Sequence, residues 1–146
     1  MRSLFRGATA LTTAMALVIG AGLASHRAVA NDNDAESITP DVVMQSLFMG
    51  KSSPLNTLKA AIKADAPDWA KIKEAAAKFP QYGPELGKNE PPQGDKDSWA
   101  KLTQALSEES KALDEAAAKE DFDAVAAKVN TIGASCKSCH SVHRPD

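Results

Sequence analysis

From Thr39 onward, apolar residues recur at steps of three and four and nowhere in strict alternation, the period of amphipathic helices and not of strands. Thr39-Pro40-Asp41 predicts a helix start, with Thr39 as N-cap and Pro40 in the first helical position. Val43, Met44, Leu47 and Phe48 then share one side, and Gly50 ends or kinks the helix. Leu55, Leu58 and Ile62 resume the spacing to about residue 64. Asp65-Ala66-Pro67 opens a second helix in which Trp69, Ile72, Ala76 and Phe79 step by three, four and three. Pro80 should kink or end it, because proline lacks a backbone donor and clashes with the preceding turn. Residues 83–95 form the longest breaker-rich stretch, with Gly83, Pro84, Gly87, Pro91, Pro92 and Gly94, and read as the connection between two helical hairpins.

A third helix is expected from about Lys96 to Lys119, striped by Trp99, Leu102, Leu106, Leu113 and Ala117. Asp121 can cap a fourth, along which Phe122, Val125, Val129, Ile132, Cys136, Cys139 and His143 alternate steps of three and four. Long helices joined by short links favour antiparallel neighbours, so the expected fold is all-α, an antiparallel four-helix bundle. Neither hairpin could bury a core alone, which makes residues 31–146 a single domain.

The first 30 residues depart from this pattern. Arg2 and Arg6 precede a mostly apolar or small stretch from Ala8 to Ala24, and Ala28-Val29-Ala30 is an A-x-A cleavage site, so residues 1–30 read as a signal peptide. Nothing downstream approaches the roughly 18 consecutive apolar residues of a membrane span, and no stable membrane insertion is expected. Cleavage removes Arg2, Arg6 and Arg27 and no acid. Of 17 basic side chains 14 remain against 19 acidic ones, a formal charge of −5. That balance argues against nucleic acid, whose binders concentrate basic surface, and suits an exported, periplasmic protein that meets partners through their positive patches. Residues 31–37 are polar and acidic and carry no helical pattern.

The chemistry is concentrated in Cys136-Lys137-Ser138-Cys139-His140. C-x-x-C-H is the spacing of c-type haem attachment: each thiol can bond one vinyl group, and the adjoining histidine can ligate the iron. A thioredoxin-like redox pair would need a strand before it and a helix after, and six residues follow His140. A structural zinc needs four ligands, yet these are the chain's two cysteines and no second pair exists. A plain disulfide is compatible with export but leaves His140 unexplained. One covalent haem is therefore the expected cofactor. It would supply much of the apolar bulk that six downstream aromatics (Phe48, Trp69, Phe79, Tyr82, Trp99, Phe122) leave short.

With the haem near the C-terminus, a sixth ligand must come from upstream. Cleavage leaves His140 and His143 as the histidines, and His143, three residues further along one helix, cannot reach the opposite haem face. Met44 and Met49 are the remaining thioethers. Met44 shares the apolar side of the first helix, whereas Met49 lies about 140° away around it, beside Gly50. Met44 is the preferred iron ligand beside His140; Met49 or an open distal site are the alternatives.

Here the sequence resembles the class II cytochromes c, which include cytochrome c′ and its low-spin relatives. The resemblance is carried by Cys136-Lys137-Ser138-Cys139-His140 and by His143-Arg144, which stand where the family usually has an aromatic and then a basic residue. Val43-Met44 with Leu47, and the run from Leu86 to Lys96, are similar to a subgroup of small exported bacterial members. The Arg-Gln pair common before the axial methionine in low-spin members is absent, Val42 and Val43 standing before Met44. The resemblance implies a four-helix bundle with haem on the last helix, Arg144 against a haem propionate, and pairing of two chains as a homodimer through the first two helices. With Met44 bound, the expectation is one-electron transfer with redox partner proteins. With the distal side open, it is binding of nitric oxide or carbon monoxide, as in cytochrome c′. No acid, base and nucleophile are grouped near the motif as an enzyme would need.

Overall fold

The computed structural model describes residues 38–145, so the signal-like segment, its A-x-A site and the acidic stretch to Ser37 lie outside the described residues. Among these residues the regular elements are all helical. The first, α1 (Pro40–Leu47), starts where expected: Thr39 accepts a hydrogen bond from the Val42 amide and Pro40 occupies the first turn. The chain turns through Gly50, and α2 (Pro54–Ala61) begins at a second cap, Ser53. Asn56 Nδ2 donates to the Gly50 carbonyl at 2.8 Å and closes this turn from inside.

The second predicted helix differs in two respects. Its cap is Asp68, not the Asp65-Ala66-Pro67 segment, and α3 runs Trp69–Ala76. Asp68 has the extended backbone a cap requires, with its Oδ1 accepting from the Lys71 amide at 3.2 Å. Pro80 does not end the helix either. The break falls at Ala77 and Lys78, and Pro80 sits in the first turn of a short α4 (Phe79–Tyr82), where its missing donor costs nothing.

The breaker-rich stretch is more structured than a connection: Gly83–Lys88 form a 3-10 helix whose Gly83 and Leu86 are buried. This element lies along α5 (Lys96–Ala118), which Asp95 caps by accepting from the Ser98 amide at 2.8 Å. A Cβ at Gly83 would stand 2.5 Å from Ser110 Oγ, so glycine is what allows this approach. Ser110 is fully buried and donates to the Leu106 carbonyl, folding its hydroxyl against its own helix.

Asp121 caps α6 (Phe122–His143), as the sequence predicts. Between α5 and α6, Glu120 takes a left-handed φ of 57°. The amides of Glu120 and Asp121 then bond the carbonyls of Ala117 and Ala116, so the chain reverses with its terminal carbonyls satisfied. Lys128 and Glu109, 3.1 Å apart and part-buried, pair α6 with α5 further along. The core gathers Val43, Leu47, Leu58, Ile72, Phe79, Leu113, Val125, Val129 and Ile132 from every long element, each at most 1% exposed. Each such side chain contributes about 1.5–3 kcal/mol by leaving water.

Two outcomes follow from these contacts. Gly83→Ala should destabilise the protein by about 1–3 kcal/mol in chemical denaturation, as overpacking does, with part of the loss recovered in Gly83→Ala/Ser110→Ala. Lys71 holds the Asp68 carboxyl below its ordinary range through hydrogen bonds from side chain and backbone. A depressed folded value means stability that is present above the ordinary carboxyl pKa and lost as pH falls through the lowered one. Asp68→Asn, which can still cap, should therefore remove a small acid-side loss visible in melting temperatures measured from pH 5 downward.

Candidate functional site

Helix α6 packs on α5 and α2, whereas α1 packs on α2, α4 and the 3-10 helix and has no substantial contact with α6. A cleft of about 480 Å³ lies beside both, lined from α1 and its turn by Met44, Phe48 and Met49, from the middle of the chain by Leu86 and Trp99, and from α6 by Cys139, His140 and His143. Asp41 and Arg144 also line it. A smaller cavity of about 80 Å³ shares Met44, Phe48, Leu86, Cys139 and His140, and adds Leu102, Leu106, Ile132 and Cys136. Leu102 and Leu106, which the helical stripe assigns to the core, are thus only half-buried, because they face this space.

The three residues of the motif lie side by side on α6. Cys136, Cys139 and His140 all line the smaller cavity, Cys136 donating weakly to the Ile132 carbonyl at 3.6 Å. Both thiols are free, and burial, reinforced by the neighbouring Cys136, raises the pKa of the Cys139 thiol. Among the described residues no group of three or more His, Cys, Asp or Glu is placed to hold a metal ion.

The donor set suits a haem. The larger cleft is within the roughly 300–1,000 Å³ typical of cofactor sites, and the walls are mainly apolar with few polar groups. Cys136 lines only the inner cavity and Arg144 only the outer cleft, while Cys139 lines both. Met44 lines both spaces; Met49 lines the outer one alone and is 62% exposed. Arg144 is exposed at the rim.

His143 takes a role the sequence did not show. It is 2% exposed, with Nδ1 2.8 Å from the Gln93 carbonyl and Nε2 3.1 Å from Ser98 Oγ. Its ring meets Trp99 edge-on at 5.3 Å, and the Trp99 indole donates to the Asn89 carbonyl. The sequence signal was its place on the α6 stripe after Cys139; its partners, 45 and 50 residues away, had none.

The all-helical bundle turns C-x-x-C-H of its last helix into a cleft, an arrangement compatible with a c-type haem protein. The family model described as Cytochrome C′ matches residues 93–144, which include all of α5 and α6. The match supports the class II cytochrome c family for this chain. No curated protein and no solved structure gives a match.

Proposed function

We propose that this protein is a one-electron carrier of the exported compartment, with His140 and Met44 as the two axial ligands of one covalent haem. The observation that carries the reading is that Met44 and His140 line the same two cavities from helices that do not pack on each other. Cys136 and Cys139 would hold the haem through two thioethers, each S–H adding across one vinyl group without net oxidation. Haem, when bound, supplies an iron that alternates between ferrous and ferric states. His140 would hold that iron from α6. Met44 offers a thioether from α1, which favours the ferrous state relative to a second nitrogen donor. Phe48, Leu86, Leu102 and Leu106, which line the cavities, would keep water from a bound haem, and Arg144 would pair with one of its carboxylates. Redox partners with basic surfaces fit the acidic mature chain. The segment 1–30 as a cleaved leader places attachment outside the cytoplasm, consistent with a family typically exported.

Denatured holoprotein should keep its colour and exceed the mass of the chain from Asn31 by one haem; colour removed by acid acetone would falsify covalent attachment. Met44→Ala should convert a low-spin iron to high-spin, lower its potential and open it to carbon monoxide, while Met49→Ala should do none of these. Absorption spectra of both redox states with and without carbon monoxide read all three. A wild-type protein already high-spin and fast to bind carbon monoxide rejects electron transfer in favour of gas binding. Cys136→Ala/Cys139→Ala should yield little folded protein by circular dichroism, since loss of a tightly bound core component removes its stabilisation.

A further inference from the structure

Between Ile132 and His143 no residue of α6 is buried, so the haem motif is carried on a span anchored at its two ends. At the far end the anchor is polar. The Gln93 carbonyl can only accept, so His143 Nδ1 donates to it, and Nε2 is left to accept from the Ser98 hydroxyl. Gln93 also answers with its side chain, Nε2 donating to the Arg144 carbonyl at 2.6 Å. Two bonds in opposite directions thus bracket residues 143 and 144. Gly94 makes the approach feasible: its φ is +83°, and a Cβ there would stand 2.9 Å from the Val142 carbonyl and 3.0 Å from His143 Nδ1. A helix end is ordinarily where fraying begins, since its last carbonyls lack partners. Here the end lies one turn beyond His140, whose orientation any fraying would reach.

We propose that Gln93, Ser98 and His143 form a polar clasp that positions the last turns of α6, fixing His140 and Arg144 toward the cleft. The inference rests on the haem reading above. His143 is a positioning residue, acting through the helix and not on the iron. An aromatic at 143 can fill the same space against Trp99, but it cannot bond Gln93 and Ser98 together, so the two bonds are the separable part of the role.

The test uses haem-loaded full-length protein, comparing wild type with His143→Phe, His143→Asn, Ser98→Ala and Gln93→Ala by electron paramagnetic resonance and redox titration. His143→Phe should keep the helical content and haem load while its g values shift and broaden and its midpoint potential falls, as a looser turn admits water to the cleft. His143→Asn, whose amide nitrogen occupies the place of Nδ1, should recover part of both. Ser98→Ala and Gln93→Ala should each give smaller shifts in the same direction, and they decide the matter if the His143 variants fail to load haem. Resonance and potential identical to wild type in the haem-loaded variants overturn the clasp while leaving the haem reading intact. Wild-type protein without covalent haem overturns both.

Discussion

None of the ten residues between Ile132 and His143 is buried, and the rest of the architecture compensates for that span. A helix of 22 residues that buries only Val125, Val129, Ile132 and His143 has little to hold its second half in place. Helical stability in proteins comes mainly from tertiary packing of the apolar face. The face of α6 is instead turned toward a space bounded by α1, the 3-10 helix and α5. The short helices that break up the first half of the chain serve this arrangement, since a continuous first helix would carry Met44 and Phe48 on one straight rod with no turn at Gly50. The broken path lets α1 rest on α4 and the 3-10 helix while standing off from α6.

Charge follows the same division. The ion pairs among the described residues lie on the surface or half-buried between α5 and α6, and none lies in the cleft. Arg144 is the one Lys or Arg lining that space, with Asp41 across the same mouth. Two carboxylates brought there would share a single guanidinium, so at least one must rely on water.

Much of this was legible in the sequence, for identifiable reasons. The caps Thr39, Asp95 and Asp121 act over three residues, so their signals are local, and the long stripes of α5 and α6 have the period that burial imposes. C-x-x-C-H was readable because its chemistry depends on covalent spacing alone. The second helix was misjudged at both ends because Asp65 and Asp68 are equally suitable caps by type, and because a proline that breaks one helix is equally fit to begin the next. The 3-10 helix hid among residues that usually mark loops; only its partner surface, with Ser110 facing Gly83, makes those glycines an asset for packing. The bonds of His143 were beyond any periodicity, since they join segments 45 and 50 residues apart.

Trp99 has an optical consequence. It is 6% exposed, lines the large cleft, and touches both the Asn89 carbonyl and the His143 ring. An indole in the wall of a site suited to a strongly absorbing macrocycle is a built-in gauge of that site. Its emission would be quenched while the site is filled and the fold intact, and recovered when either is lost. Trp69, at the start of α3 and outside both cavities, supplies a second and less sensitive signal from the same molecule.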